Sequence, residues 1–454
     1  MFMVLSLVLF VASLIYLRRV TGLYALFAIS FLLFGFILRM ASATYIEFFG
    51  PVYALHFGRY IQSYGIAGLV FTLSLIVVLA ATALFLQPKA IFPKNYPVIR
   101  YRIDQIANAA IVSFSLYVFA MYGDMLIRGV IPLFTFMERD TYTNNYAGIF
   151  HKVFFQFNFL FAFLLGFFFV RPRLQGGAFD LRYLAILMAL YFYFVLTGHR
   201  FSIFFAVTAF FLIPVSAVWL QARAGRLPRS RDPEQVRRIL AVARMAAPFI
   251  VLLLLALTSY ALYNSLFNVR SYSDPVQAFV QRSLVQPTEL WWVTWESSIR
   301  NGELNQARAF HQMFVDPIDG TRNTGIQFLM AKELGHARAA SLLFYGEQYA
   351  GGYPEVLFEL LGPYWAWPAM FVFAGVTLNF LRIAFIAVLN QRLGTAIFSI
   401  FLFYGFSVLY IGGMLNFLQA PTLYVKIALL IGFMLYERPP TRRPAVTMTR
   451  APTI

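Results

Sequence analysis

The chain is 454 residues long, 60% hydrophobic and only 12% charged, with a mean hydropathy of +0.70. That leaves too little polar surface to coat a particle of this size in water, so a soluble globular enzyme is excluded and lipid is the solvent for most of the chain. The absence of cysteine removes disulfides, thiolate metal sites and palmitoylation.

Windows of about 20 apolar residues mark candidate membrane spans. In chain order they fall near Phe2–Tyr16, Leu23–Leu38, Ile66–Leu86, Ile106–Tyr122, Val153–Val170, Tyr183–Thr197, Phe201–Leu220 and Ala246–Leu266. After a long polar interval come Ala369–Phe380 running on toward Leu389, Ala396–Ile411 and Thr422–Tyr436. The expected fold is all-α, a polytopic bundle of about 11 transmembrane helices with a large external helical segment between spans 8 and 9. Residues 1–267 carry spans 1–8, 268–368 the external segment, 369–436 spans 9–11, and 437–454 a basic cytoplasmic tail. The first apolar stretch has no basic residue before it and Arg18-Arg19 directly after it, which reads as an anchor with its N-terminus outside rather than a signal peptide.

Orientation follows from the resistance of Lys and Arg to translocation. Alternate connections, from Arg18-Arg19 through the seven arginines between Arg223 and Arg244 to the tail, hold 22 of the 36 basic residues and 5 of the 19 acids. The whole +17 charge therefore belongs to one face, read as cytoplasmic, with the C-terminus on it. This placement makes the basic loops topogenic and anionic-lipid facing, and argues against nucleic acid as the reason for the pI of about 10.0.

Chemistry is expected on the other face. External loops are read near Met40–Gln62 and Gly123–Lys152, with a short turn at Gly198-His199-Arg200, and all five histidines (His56, His151, His199, His311, His336) lie on this side. Within the large segment, Ser273-Asp274-Pro275 reads as an N-cap with Pro at the first helical position. A second start at Pro287-Thr288-Glu289 leads into Trp291, Trp292 and Trp295, expected on or in the outer leaflet where indoles favour the interface. Gly351-Gly352-Tyr353-Pro354 breaks the chain before a short helix that places Glu355 and Glu359 four apart on one face. Two acids on an apolar turn beside a membrane require a polar cavity or a basic partner.

No P-loop, dinucleotide fingerprint, His-Glu-x-x-His or cysteine metal spacing occurs, and Asp316-Pro-Ile-Asp319-Gly320 reads as turn dipeptides, so neither a metal nor a cofactor is expected. Basic residues do stand at the outer ends of apolar spans: Arg139 in the second loop, Arg200 with almost no loop around it, and Arg270 just after the eighth span. Each alone fits snorkelling or a salt bridge. Guanidinium forks converging at one membrane boundary also suit a lipid-linked diphosphate.

The run Thr197-Gly198-His199-Arg200-Phe201 opening a mid-chain helix, the large external segment, and Tyr353-Pro354-Glu355 through Glu359 and Gly362 to Pro368 at the return to the membrane resemble the oligosaccharide repeat-unit polymerases, the O-antigen polymerase (Wzy-type) family. The resemblance covers roughly the latter three-fifths of the chain. The related O-antigen ligases carry a His-Asn pair where this chain has Gly351-Gly352-Tyr353, a departure that favours polymerase over ligase. The resemblance implies a glycosyltransferase at the outer face of a bacterial inner membrane, acting on undecaprenyl-diphosphate-linked glycans among membrane lipids, beside chain-length regulator and flippase proteins. It implies Arg139, Arg200 and Arg270 on the diphosphate, Glu355 as base with Glu359, His199 and His336 behind it, and Tyr353, Trp365 and Trp367 against sugar faces. A ligase-like enzyme or a polytopic transporter is the alternative; few ionisable residues within the spans and no internal repeat weigh against the transporter.

Overall fold

An apolar segment in lipid must pair its own N–H and C=O groups, and the helix is the local way to do so. The computed structural model describes residues 1–92, 104–135, 137, 141–199, 201–228, 274–316, 325–344 and 351–437, with single positions at 234, 241, 256 and 259. Its principal helices are α1 (Phe2–Val20), α2 (Leu23–Ala28), α3 (Ser30–Phe49), α4 (Ile66–Phe85), α5 (Asp104–Ile127), α6 (Ile149–Leu174), α7 (Leu181–Leu196) and α8 (Phe201–Arg223). Then follow α9 (Pro275–Val280), α10 (Glu289–Thr294), α11 (Gln306–Phe310), α12 (Ile326–Leu334), α13 (His336–Phe344), α14 (Glu355–Asn390), α15 (Leu393–Gly412) and α16 (Pro421–Tyr436). Among the described residues eight helices are long and apolar enough to cross a membrane, and α7 and α16 are shorter apolar helices. The chain is thus a helical, multi-pass membrane protein. The expected span Ala246–Leu266 lies outside the described residues.

The second span differs from its sequence reading. It breaks at Ile29 into α2 and α3, and α3 continues to Phe49 through residues expected to begin a loop. Hydropathy falls there because of Arg39 and the polar residues after it, but helical hydrogen bonding is indifferent to hydropathy once the polar side chains have partners. The remainder of that loop contains a two-stranded antiparallel hairpin, β1 (Val52–Ala54) with β2 (Arg59–Ile61), paired Val52 to Ile61. The Glu355 helix is also continuous with the following span. Gly362 alone leaves helical geometry, at φ 77, where Pro363 disfavours the α region for its predecessor.

Aromatic and small side chains join the helices. Phe159 of α6 stacks on Tyr404 of α15 with ring centroids 3.9 Å apart, and Gly166 lets α6 approach α8 so closely that a Cβ there would lie 2.4 Å from the Phe211 carbonyl oxygen. Such close contact is the main source of helix association where lipid supplies no hydrophobic drive.

The described residues of 274–344 pack at the end of the bundle formed by the last turns of α3, the hairpin and the start of α4. Asp274 caps α9, its Oδ1 accepting from Gln277 N at 3.0 Å. Trp291 and Trp292, expected at the lipid interface, are instead fully enclosed by protein. Their indoles donate to the Ala67 carbonyl at 2.9 Å and to Glu47 Oε1 at 3.2 Å, so these rings fasten the segment to α4 and α3. Phe2 lies beside Gly65 at this same end. The other end holds Arg18, Arg19 and Arg223 at the ends of α1 and α8, and Gln175 donating to Gln391 at 2.9 Å.

Candidate functional site

Two turns at the start of α14 carry Glu355 and Glu359, both buried. Their backbone is fixed by a glycine contact: Gly352, at φ +106, meets Gly413 at the end of α15, where a Cβ on Gly352 would lie 2.8 Å from the Gly413 Cα. Only residues lacking a Cβ allow two chains to approach this closely. Tyr353 adds a hydrogen bond from its hydroxyl to the Ser74 carbonyl at 2.9 Å and an edge contact to Tyr410 at 4.9 Å.

Arg39 reaches this turn from α3. Its Nη2 donates to Glu355 Oε1 at 2.9 Å, its Nε to the Pro287 carbonyl at 3.1 Å, and its Nη1 to the Tyr353 carbonyl. The guanidinium also lies 4.8 Å from the Phe71 ring centre. With both partners almost completely buried, neither charge would be tolerable alone, and the fork connects α3, the 274–344 segment and α14 at one point. Sequence reasoning missed Arg39. The available signal was a lone arginine inside an apolar run, which marks a partnered intramembrane charge.

A second polar group surrounds Glu359. Lys332 Nζ of α12 lies 2.7 Å from Glu359 Oε1, and Ser298 Oγ bonds both of them. The adjacent Ser297 Oγ donates to Glu333 Oε1 at 2.6 Å. Arg59 Nη2, on the half-exposed hairpin strand, stands 3.7 Å from Glu333 and 3.8 Å from Glu296. Burial pushes the Glu333 carboxyl above its ordinary value, against the opposing pull of the Ser297 bond and the charges of Lys332 and Arg59. Glu359 Oε2 is buried and makes no hydrogen bond among the described residues. A polar chain thus runs from the surface at Arg59 through Glu333 and Ser297-Ser298 to a carboxylate oxygen still able to accept a proton or a hydroxyl donor. A third pair, His56 Nδ1 with Glu289 Oε1, closes the hairpin over α10.

His199 belongs to a separate cluster, stacked 4.2 Å from Phe155 and 5.7 Å from His151, while His151 Nδ1 bonds the Tyr193 hydroxyl at 2.8 Å. His336 is exposed at the start of α13. Tyr353 is wholly enclosed, Trp365 is 72% exposed, and Trp367 packs edge-on against Phe358 at 5.9 Å. Arg139, Arg200 and Arg270 lie outside the described residues, as do Asp319 and Gly320. Among the described residues no three His, Asp or Glu side chains converge as a metal site.

A family of unknown function (DUF6418) matches residues 319–425. That stretch holds Lys332, Glu333, the Gly352–Gly413 contact, Glu355 and Glu359, whereas Arg39, Arg59 and Ser298 fall outside it. No curated protein and no solved structure matches the chain.

Proposed function

We propose that this protein is a membrane glycosyltransferase that polymerises undecaprenyl-diphosphate-linked oligosaccharide repeat units at the outer face of a bacterial inner membrane. In this reading the 274–344 segment and the N-terminus lie outside and the C-terminus is cytoplasmic. The observation that carries it is the pair of buried acids one turn apart at one end of the bundle, each with its own cation, Glu355 with Arg39 and Glu359 with Lys332.

The reaction joins the acceptor sugar's hydroxyl oxygen to the anomeric carbon of the donor glycan. The bond from that carbon to the diphosphate oxygen breaks, the diphosphate leaves with the electron pair, and the hydroxyl proton passes to a carboxylate. Glu359 fits the base better than Glu355. Both acids leave Oε2 without a hydrogen bond among the described residues, but polar residues lead to Glu359 from the surface, whereas Glu355 is enclosed at the Arg39 fork and positions the turn. Lys332 and Arg59, with Arg139, Arg200 and Arg270, offset charge on the departing diphosphate. Trp365, exposed at the return to the bundle, offers a ring to a sugar face. The lipid-linked glycans are the substrates, and chain-length regulator and flippase proteins are the expected neighbours.

The test is glycan chain length on a gel in a deletion strain complemented with variants at matched membrane protein levels. The deletion should collapse the ladder to single repeat units. Glu359→Gln should reproduce that collapse, with normal protein abundance, because the substitution keeps shape and removes basicity. Glu355→Gln should lower abundance first. A full ladder in the deletion strain would overturn the polymerase reading, and a full ladder from Glu359→Gln alone would remove Glu359 as base.

A further inference from the structure

The opposite end of the bundle contains a cleft between the C-terminal part of α1 and the last turn of α8. It has a volume of about 600 Å³ and is lined by Ile15, Arg18, Arg19 and Arg223. It adjoins a second cavity of about 380 Å³ whose walls are Leu23, Tyr24, Trp219, Ala222 and again Arg223. Arg223 therefore stands between a cationic compartment and an apolar one.

None of the three arginines forms an ion pair among the described residues. The Arg223 side chain lies across the α1–α2 turn, 3.1 to 3.3 Å from where a Cβ on Gly22 would stand, and its Nη2 is 3.5 Å from the Arg19 carbonyl. That holds the guanidinium toward Arg18 and Arg19 without neutralising it. The Tyr24 hydroxyl is occupied by the Leu86 carbonyl and supplies no acid. On the apolar side Ile15, Leu23 and Trp219 each leave about 40 to 50% of their surface uncovered, and Trp219 is fixed edge-on against Phe27 at 4.9 Å.

Three guanidiniums with no acid partner among the described residues, beside an open apolar wall at the end of membrane-length helices, match an amphiphile with an anionic head. A free anion would use the arginines and leave the wall bare; a neutral lipid would do the reverse. We propose that this cleft binds an anionic phospholipid, its phosphate between Arg18, Arg19 and Arg223 and its upper acyl chain along Leu23 and Trp219. The site is distinct from the acid cluster at the other end and does not rest on the proposed glycosyl transfer.

The test places the full-length protein in phosphatidylcholine nanodiscs containing a minor fraction of brominated phosphatidylglycerol or, in parallel, brominated phosphatidylcholine. Quenching of Trp219 is read as the part of the fluorescence change lost in Trp219→Phe. Brominated phosphatidylglycerol should quench this part severalfold more strongly. Each arginine contributes about fivefold in local lipid preference, so Arg18→Gln/Arg19→Gln/Arg223→Gln should bring the two lipids to parity. Arg18→Lys/Arg19→Lys/Arg223→Lys, which keeps the charge, should retain most of the preference and separates loss of the site from loss of fold. Equal quenching in the native protein, or a preference that survives the Gln variant, overturns the proposal. Abolition of the preference by millimolar inorganic phosphate would assign the arginines to a free anion and overturn the lipid assignment.

Discussion

At one end of the molecule Arg39 and Lys332 are enclosed, with carboxylate oxygens 2.9 and 2.7 Å away. At the other, Arg18, Arg19 and Arg223 have the same kind of charge and no acid at all among the described residues. The difference is desolvation. A cation removed from water must bring an anion with it, whereas one at an open cleft keeps water or a ligand as its partner. Charges at the first end hold helices from distant parts of the chain in one geometry, and charges at the second are available for binding. The dispensability of a basic residue in this protein should therefore follow from its burial rather than from its place in the sequence.

The largest expected effect is that of Arg39→Leu. It leaves Glu355 buried without its cation and should cost about 3–5 kcal/mol of stability, read as the unfolding midpoint in detergent. The double variant Arg39→Leu/Glu355→Leu should recover most of that loss, since the penalty lies in the orphaned charge; equal instability of single and double variants would refute this account of the pair. Gly352→Ala comes next, at about 1–3 kcal/mol, because an alanine is strained at φ +106 and its Cβ would lie 2.8 Å from the Gly413 Cα. Loss should appear first as reduced folded protein in membranes.

A smaller effect is expected of Glu333→Gln, and it should depend on pH. The native carboxyl titrates above its ordinary value of 4.5 because burial disfavours the charged form. Its stabilising contribution is therefore complete below that ordinary value and is lost as pH rises through the raised native value. The Gln variant cannot ionise and should gain on the native protein over the pH range from that ordinary value up to the raised native one. Thermal midpoints of both proteins across that range check the sign, and a variant that instead loses ground as pH rises would show that the Arg59 and Lys332 charges outweigh burial. The smallest effect belongs to Arg19→Gln, which should change stability by less than about 0.5 kcal/mol, since no ion pair is broken. A large shift in its unfolding midpoint would mean that the two ends are not so different after all.

The sequence by itself determined that the chain is a membrane protein of apolar helices, and where several of those helices lie. Apolar runs in lipid have to satisfy their backbone locally, so the positions of α1, α4, α6, α8 and α15 could be read from short windows. The Asp274 cap and the spacing of Glu355 and Glu359 are local in the same sense, each needing only neighbours within a turn. What the tertiary structure decided depends on contacts between residues far apart in the chain. Arg39 lies 316 positions from the acid it neutralises, and no window reveals why α3 continues past it. Trp291 and Trp292 have the composition of interfacial anchors, but their indoles found Ala67 and Glu47 and became interior. The run Gly351-Gly352 signals a chain break, whereas the reason both Gly352 and Gly413 lack a side chain is visible only where their backbones meet. Local hydrogen bonding and periodicity are encoded residue by residue; the pairing of buried charges and the closest backbone approaches are properties of the assembled bundle.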